Sequence, residues 1–299
     1  MKAAVYHVYG PPDVIHVVEM PKPVPKPQEV LVKVMSVALT AADVRIRAAR
    51  FPKGFGFLAR LVFGLSAPRK SILGSCFSGV IEAVGGEVTQ FKVGDEVCGT
   101  SSIGFGMHAE YGVVKASGSI VKKPQNVSHD DAAAVIFGGT ASLYFLRDRA
   151  KIQKGQQILV NGADGALGTN AVQLAKHFGA IVTTATRMKP VPSGAVGPYD
   201  IVFDTVGNLT PADASRLLTE KGTLILAVAS LSQMFSGDKR VVTGTATEKA
   251  EDLRTLLSLV ERGELYPVID SVYPLERMVE AYQRAESRQK QGNIIIHPS

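Results

Sequence analysis

The hydrophobic pattern in the first third of the chain is that of short β-strands separated by turns. Apolar and polar residues alternate in residues 30–37, and similar short apolar runs occupy residues 2–6, 15–19, 80–84 and 93–98. Gly and Pro residues separate these runs, as is typical of turns between antiparallel strands. The pattern therefore predicts a mostly β, barrel-like N-terminal lobe.

From about residue 130 the pattern changes to alternating strands and helices. This order is typical of βαβ units, in which helices cover both faces of a parallel sheet. The predicted strands are 158–161, 181–185, 201–204 and 224–228, and the predicted helices are 169–178, 211–219 and 248–262.

The tail of the chain has a third pattern. A strand at 268–272, a helix at 275–285 and a closing strand at 294–296 are predicted there. We expect this segment to fold back onto the N-terminal lobe. Two lobes also agree with the length of 299 residues, since single cores usually stop growing at about 250 to 300 residues.

Composition excludes several classes of protein. A hydrophobic fraction of 45% is sufficient for packed cores, so disorder is not expected. The net charge of +6 comes without a dense Lys/Arg block interleaved with aromatic residues, so we expect no nucleic-acid partner. No apolar run has the length of a spanning helix and no secretory signal is visible, so we expect no membrane partner. Two cysteines suit reduced thiols and a cytoplasmic location.

The segment from Gly162 to Gly168 carries the clearest chemical signal. It joins a predicted apolar strand to a predicted helix, so its main-chain amides and the helix N-terminus could hold a diphosphate. Ala163, Gly165 and Gly168 stand where a dinucleotide fingerprint needs small residues, for the turn, the approach to phosphate and the packing of helix on strand. Together with Gly162, Ala166 and Leu167 they are the predicted cofactor-binding turn.

The end of the next predicted strand indicates which dinucleotide binds. An acidic residue there binds the ribose of NAD, whereas basic residues accept the 2′-phosphate of NADP. The sequence has no carboxylate at this point but has Arg187 and Lys189. NADPH is therefore the predicted cofactor, with two solvated loop cations as the alternative reading.

Several motifs give the chain a family resemblance. They lie at residues 74–85, 91–99, 109–111, 139–141, 162–176, 199–207 and 266–270. In number and order they resemble the zinc-free quinone oxidoreductase (zeta-crystallin-like) branch of the medium-chain dehydrogenase/reductase superfamily.

The resemblance implies an α/β architecture of two domains. A GroES-like catalytic domain would comprise residues 1–121 and 263–299, and a Rossmann-like nucleotide-binding domain would comprise residues 122–262. The active site would lie in the cleft between them, with NADPH as cofactor and a small hydrophobic carbonyl or quinone as substrate. A homodimer is implied through the edge strand near residues 224–242.

The resemblance also assigns residues to the site. Thr40 would lie beside the nicotinamide or the substrate as the catalytic residue, unless it is an ordinary loop threonine. Thr140, Ala227 and Ala229 would touch the nicotinamide end. Val206, in the segment 204–207, would line the cofactor cleft, while Asp204 in that segment could equally be structural.

Departures from the family pattern modify these expectations. The zinc enzymes of the superfamily carry a Cys and a His-Glu pair where this chain has Thr40 and Ser75-Cys76, and the cysteine-rich structural-zinc loop is missing. We therefore expect no metal. Cys76 and Ala166 also replace the usual Asp and Gly, and Asn293 replaces the usual cation before the last strand.

A deletion is the largest departure. Only nine residues separate Lys189 from Tyr199, and a βαβ crossover needs about ten to twelve. One helix and one strand should thus be missing from the sheet, which could open the adenine side of the pocket.

Two further features have open readings. Residues 51–65 are rich in Phe and Leu and could be an apolar lid over the substrate, although a packed helix is the more common explanation. His108 lies next to the 109–111 motif and is the histidine we expect closest to the cleft.

The sequence favours a zinc-independent NADPH-dependent oxidoreductase that reduces quinones or α,β-unsaturated carbonyls by hydride transfer. The missing crossover keeps one alternative open, a catalytically degenerate family member that acts as a binding or scaffold protein.

Overall fold

The computed structural model describes residues 1–192, 195, 197–235, 237–287 and 289–299. The N-terminal part is mostly β, as predicted, with two short helices. In chain order its elements are β1 (Lys2–Val5), β2 (His16–Glu19), β3 (Glu29–Leu39), α1 (Ala41–Arg47), α2 (Gly56–Phe63), β4 (Cys76–Val84), β5 (Glu96–Thr100), β6 (Tyr111–Lys115) and β7 (Ile120–Lys122).

The rest of the chain alternates helices and strands before the tail. In chain order its elements are α3 (His129–Leu143), β8 (Gln157–Asn161), α4 (Ala166–His177), β9 (Ile181–Ala185), β10 (Tyr199–Asp204), α5 (Pro211–Leu217), β11 (Leu218–Leu226), α6 (Leu231–Met234), β12 (Val241–Val242), α7 (Ala250–Glu261), β13 (Ile269–Pro274), α8 (Met278–Glu286) and β14 (Asn293–His297).

Two predicted strands are displaced along the chain. We predicted β5 at 93–98, but Gly94 has a φ of +89° and forms a turn, so the strand begins only at Glu96. We predicted β11 at 224–228, but it begins at Leu218 directly after α5, without a connecting loop. Local apolar runs did not show these boundaries because the backbone turns, not the apolar residues, set them.

The first large sheet has the strand order β13-β14-β3-β4-β5-β7, with β6 also paired to β3. Its pairs are antiparallel except for β13 with β14. The tail strand β14 lies between β13 and β3, which confirms that the end of the chain folds back onto the N-terminal lobe. Long Val and Ile side chains on this sheet form a core of their own around Val32, Phe77 and Ile294.

The second large sheet is parallel and has the order β12-β11-β10-β8-β9. In this sheet β9 is an edge strand, and the chain passes from it to β10 on the other side of β8. Among the described residues no strand follows β9 outward, so the predicted loss of a crossover is confirmed. Ser193, Gly194 and Val196, in the shortened connection, lie outside the described residues.

Helix α3 joins the two sheets. Its side chains share one buried cluster with Cys76 and Cys98 of the barrel and with Ile158 and Ile201 of the parallel sheet. Because one core includes residues of both halves, the position of the parallel sheet relative to the barrel is set by packing around this helix.

Helix α2 differs from the more common expectation. The predicted helix is present within residues 51–65, but none of the residues of α2 is buried. The reading of this segment as a packed helix was therefore wrong. Within the described part of the chain, no helix has the length and apolarity needed to cross a membrane.

Candidate cofactor-binding site

The parallel sheet has a topological switch point at β8. The chain leaves β8 through α4 to β9 on one side, while β10 lies on its other side. In open parallel sheets, ligands bind in the crevice beyond the carboxyl ends of the strands at such a point. A cavity of about 810 Å³ lies there and is lined by Gly162 after β8, Arg187 after β9 and Val206 after β10.

The turn from β8 into α4 is built on three glycines. Gly162 has a φ of +83°, so Gly162, and not Ala163 as predicted, makes the left-handed turn. Gly168 lies so close to this turn that a Cβ there would be 2.0 Å from the Gly162 oxygen. At Gly165, by contrast, the nearest heavy atom to an added Cβ would be 3.6 Å away. Gly168 is therefore required by packing, while Gly165 faces open space that a ligand can occupy.

Helix α4 begins with no side-chain cap. Gly165 is its N-cap residue and makes no side-chain hydrogen bond, and the amides of Ala166, Leu167 and Gly168 form its first turn. The first amides of a helix have no acceptor within the helix and carry its partial positive charge. Ala166 stands in this first turn with ordinary helical backbone, which explains why an alanine is tolerated there. Such a terminus fits the diphosphate of a dinucleotide.

Asp204 organises the loop beside this turn. Its Oδ1 accepts from the amides of Val206 and Gly207, each at 3.0 Å, and its Oδ2 accepts from the Leu209 amide at 3.0 Å. Asn161 also donates to Asp204 at 3.0 Å. This carboxylate is fully buried and fully bonded, so the structural reading of Asp204 is the one that the geometry supports.

Two of the described cations that border the cavity were expected differently. Arg187 borders it as the sequence suggested, whereas Lys189 does not line it and its amide closes a tight turn onto Thr186. Lys290 and Arg216 also border it and were missed. Lys290 is far from the turn in sequence, so only the folded chain reveals it.

Lys290 reaches the turn because the tail contacts it. The Gly292 amide donates to the Asp164 carbonyl at 2.8 Å, and Gly292 forms a β-bridge with Gly165. The Lys290 ammonium donates to the Gly292 carbonyl at 2.6 Å. Burial lowers the pKa of Lys290, while the carboxylates of Asp270 and Asp164 oppose that shift. A partly desolvated ammonium beside the helix start is placed to meet an anionic ligand.

The shortened connection forms one side of the cavity. Pro190, Val191, Pro192 and Ala195 border it, and Val191 and Ala195 also pack against an apolar cluster that contains Val202. The described part of this loop thus covers the region where the missing crossover would lie.

The remaining predicted residues lie away from this cavity. Thr140 is buried in α3, where its hydroxyl donates to the Ile136 carbonyl at 2.7 Å. Ala227 and Ala229 follow β11, and the Ala227 amide donates to the Asp204 carbonyl at 3.0 Å.

Thr40 caps helix α1. Its hydroxyl donates to the Asp43 carboxylate at 2.6 Å and accepts from the Asp43 amide, forming a capping box. The other carboxylate oxygen of Asp43 accepts from the Gly74 amide at 2.9 Å. The Thr40 side chain is 5% exposed and is thus occupied in holding the start of α1.

The positions that correspond to the zinc ligands of the superfamily lie close to this cap. Cys76 is fully buried, and burial, together with the Glu248 carboxylate, raises the pKa of its thiol far above the usual value. Burial likewise raises the pKa of Cys98 to about 12. Zinc binds the thiolate form, which both thiols resist. Within the part of the chain that the structure describes, no group of three or more His, Cys, Asp or Glu side chains is arranged to hold a metal ion.

Glu248 is a contact between the lobes that the sequence did not reveal. It precedes α7, and its carboxylate accepts from the Thr100 hydroxyl at 3.0 Å and from the Ser102 hydroxyl at 2.7 Å. The Ser119 hydroxyl donates to its main-chain carbonyl. An exposed-looking Glu in a loop has no sequence signal for such a role.

His108 is in the barrel interior and not beside the cavity. It is 1% exposed, stacks edge-on against Tyr282 with ring centroids 6.2 Å apart, and its Nε2 has no partner. Burial lowers the pKa of His108, partly offset by Asp43. The expectation that His108 is the histidine nearest the cleft finds no support in this position.

A β-barrel lobe joined to a parallel sheet with an uncapped glycine turn defines a class of dinucleotide-dependent oxidoreductases. Two family models match the chain. The alcohol dehydrogenase GroES-like domain matches residues 26–125 and the zinc-binding dehydrogenase family matches residues 178–296.

Similar proteins span the whole chain. A 2-methylene-furan-3-one reductase of Solanum lycopersicum is 29% identical, with 100% of this chain and 79% of the relative covered. A quinone oxidoreductase of Pseudomonas aeruginosa is 26% identical, with 98% of each chain covered.

Solved structures show the same fold. The quinone oxidoreductase of Coxiella burnetii aligns with a TM-score of 0.86 at 24% identity, covering 99% of each chain. The Escherichia coli quinone oxidoreductase complexed with NADPH aligns with a TM-score of 0.83 at 22% identity, covering 100% of each chain. The chain belongs to the medium-chain dehydrogenase/reductase superfamily, in its quinone oxidoreductase branch, and is an enzyme of the oxidoreductase type.

Proposed function

We propose that the protein is a zinc-independent, NADPH-dependent oxidoreductase that reduces quinones or α,β-unsaturated carbonyls by hydride transfer. One observation carries the proposal: the uncapped start of α4, the open face of Gly165 and the Arg187 side chain border one cavity at the switch point of the parallel sheet. A diphosphate fits the first, and an adenosine phosphate fits the last.

The substrate class is supported by the names of the relatives. They include an NADPH-dependent alkenal/one oxidoreductase of Arabidopsis thaliana, 27% identical over 100% of this chain, and several quinone oxidoreductases. We infer a small hydrophobic carbonyl or quinone that approaches the cleft between the lobes. Bound NADPH supplies the hydride, and the chain holds the cofactor and excludes water.

Zinc independence is supported by the chemistry of the side chains. Thr40 has its hydroxyl in the α1 cap, Ser75 offers only a hydroxyl, and the Cys76 thiol resists ionisation. These are poor zinc ligands. The name of the matching C-terminal family refers to zinc, so activity in the presence of a chelator tests this point directly.

The cofactor contacts divide into two groups. We propose that the turn residues Gly162, Ala163, Gly165, Ala166, Leu167 and Gly168 hold the diphosphate, with Lys290 as an additional cation. Arg187 and Lys189 would select the 2′-phosphate of NADPH, and Val206 would line the adenosine side.

Residues farther along the cleft would meet the nicotinamide. We assign Ala227, Ala229 and Thr140 to this end, and Thr40 to the substrate side. Thr40 would act there only if its hydroxyl shares its bond with Asp43, which is why its substitution is examined in the Discussion.

The larger organisation is part of the same proposal. Residues 1–121 and 263–299 would form the catalytic domain and residues 122–262 the nucleotide-binding domain. A homodimer would form through β12, which is an edge of the parallel sheet. Two buried free thiols suit the reducing cytoplasm.

Cofactor-dependent stability tests the proposal. NADPH should raise the melting temperature more than NADH does, because a ligand bound by the folded state stabilises it by mass action. NADPH should also be oxidised with a quinone or alkenal panel in the presence of a chelator. No rise in melting temperature at saturating NADPH would favour the alternative, a catalytically degenerate binding or scaffold protein.

Two cation variants separate the cofactor contacts. Arg187→Gln should raise the Kd for NADPH by about 10- to 100-fold and leave NADH unchanged, since a hydrogen bond to a charged group contributes about 1.5–3 kcal/mol. Lys290→Gln should weaken NADPH and NADH equally because both carry the diphosphate. Lys176→Gln, an exposed cation in the last turn of α4, is the matched control and should change neither. Equal loss of both cofactors in Arg187→Gln would contradict the assignment of the 2′-phosphate.

A further inference from the structure

Helix α2 leaves apolar side chains in solvent. The exposed fractions are 70% for Phe57, 48% for Leu58, 42% for Leu61, 54% for Val62 and 55% for Leu65. We call these five residues the α2 face. An exposed apolar surface of neighbouring side chains usually marks an interaction site in a soluble domain.

The same segment is strongly basic. Residues 44–81 contain seven Lys or Arg and no Asp or Glu. Five of these cations are exposed around the α2 face: Arg50, Lys53, Arg60, Arg69 and Lys70. In the described structure none of the five forms an ion pair with a carboxylate, and Arg60 instead donates to the Leu65 carbonyl at 2.8 Å. The α2 face is thus apolar at its centre and positive around it.

Helix α2 also covers an apolar cavity. A space of about 190 Å³ lies between the helix and the barrel, lined by Val62, Phe63, Ile103 and Phe105 and bordered by Arg69 and Lys70. Ile103 is itself 72% exposed, so it extends the apolar surface beyond α2.

The surface lies next to the cleft between the lobes. The Leu231 amide, at the start of α6, donates to the Lys53 carbonyl at 3.0 Å. Leu231 closely follows Ala227 and Ala229, so the segment that leads into α2 contacts the loop that we assign to the nicotinamide end. A surface that binds α2 would therefore be near the opening of the cleft.

The charge distribution decides which partner fits. In a two-fold contact the same patch meets itself, so a second copy would bring the five cations against five identical cations. A nucleic acid would satisfy the cations but leave the apolar side chains of the α2 face in water. An anionic lipid surface satisfies both, because Lys and Arg meet headgroups while Phe and Leu enter the acyl boundary.

We propose that the α2 face docks onto the surface of an anionic lipid bilayer, with α2 lying in the plane of the interface. The protein is peripheral in this arrangement, and no segment crosses the membrane. The sequence reading had excluded a membrane partner because it considered spanning helices and assumed that α2 is packed. Docking goes beyond the proposed oxidoreductase function and is measured without any cofactor.

Vesicle co-sedimentation tests the proposal on the full chain. Vesicles of equal parts phosphatidylglycerol and phosphatidylcholine should bind the protein at least about tenfold more tightly than phosphatidylcholine alone, since each cation near an anionic surface contributes a factor of about five. Binding should fall as salt is raised, because screening weakens the attraction.

Two multiple variants distinguish the components. Lys53→Gln with Arg60→Gln and Lys70→Gln should reduce binding at least about tenfold. Phe57→Ser with Leu61→Ser should reduce binding without changing the charge. All five side chains are exposed, so the melting temperature should be unchanged, which thermal unfolding verifies.

Matched controls use exposed residues elsewhere on the barrel lobe. Lys26→Gln with Lys92→Gln and Lys115→Gln makes the same change of charge, and Val24→Ser with Val93→Ser removes side chains that are 85% and 61% exposed. Both controls should bind like the unmodified protein.

Three results would overturn the proposal. One is equal binding of the unmodified protein to neutral and anionic vesicles, and another is equal loss in the test and control variants. The third is loss of a native oligomer in Phe57→Ser with Leu61→Ser, measured by sedimentation velocity, without vesicle binding by the unmodified protein. That third outcome would assign the α2 face to a second copy of the chain.

Discussion

Single atoms distinguish the glycines of the turn that leads into α4. All three appear alike in the sequence, yet Gly162 needs a left-handed backbone, Gly168 is packed against the Gly162 carbonyl, and Gly165 has room for a methyl group. Its φ of −78° is also available to alanine. A fingerprint match therefore combines residues that serve the fold with a residue that serves the ligand.

Alanine substitutions should separate these two roles. Gly165→Ala should leave the melting temperature unchanged but weaken NADPH binding at least about tenfold, since its methyl group occupies the space through which the diphosphate approaches the amides. Gly168→Ala should lower the free energy of unfolding by several kcal/mol, about 2 or more, because backbone atoms must move to admit the Cβ. Calorimetry and thermal unfolding measure both effects. Normal NADPH affinity in a folded Gly165→Ala protein would contradict the position of the diphosphate.

Helix α1 shows how one residue can have a role at the level of an element. Thr40 begins the helix through a reciprocal bond with Asp43, and Asp43 extends the network to the Gly74 amide. Gly74 begins the 74–85 motif and has a φ of +82°. The cap thus ties α1 to the loop before β4, next to the positions that bind zinc in other members of the superfamily.

Thr40 variants distinguish capping from catalysis. Thr40→Ala should lower the free energy of unfolding by about 1 kcal/mol, which is typical for loss of an N-cap hydroxyl. Thr40→Ser should retain stability because it keeps the hydroxyl. Urea unfolding and the rate of NADPH oxidation should be compared for both. A large loss of kcat in Thr40→Ala with unchanged stability would show that the hydroxyl acts on the substrate rather than on the helix.

At the scale of the whole molecule, two partly or fully buried histidines link folding to pH. Burial lowers the pKa of His108, and it also lowers the pKa of His129, with a further contribution from Lys123. The unfolded chain therefore takes up protons at the ordinary histidine value of about 6.5, before the folded chain does. Stability is at its full value above this pH and falls as the pH decreases through it toward the folded pKa values.

The free energy of unfolding should accordingly decrease between pH 7.5 and pH 5, by up to about 1.4 kcal/mol per pH unit for each histidine. His108→Leu should reduce this slope, whereas His7→Gln, at an exposed position, should not. Denaturant unfolding at several pH values measures the slope. Asp270, whose pKa is lowered to about 2 by Arg284, contributes only at lower pH. A slope that is the same in His108→Leu would contradict the assignment.

Much of the architecture was predictable because it depends on local patterns. The alternation in β3, the apolar strands β8 and β10 and the glycine turn before α4 are set by neighbouring residues, and so is the length of the connection after Lys189. That connection is too short for a crossover, and the parallel sheet accordingly has five strands in the described chain.

Other features arise from residues that are far apart in the chain. Lys290 borders the cofactor cavity only because β14 inserts beside β3 and brings the preceding residues against the glycine turn. Glu248 meets Thr100 only because α3 packs between the two sheets. The sequence of α2 predicts a helix equally well for a packed or an exposed position, since periodicity describes a face and not its partner. Local conformation follows from nearby residues, whereas contacts across the fold require the complete packing of both lobes.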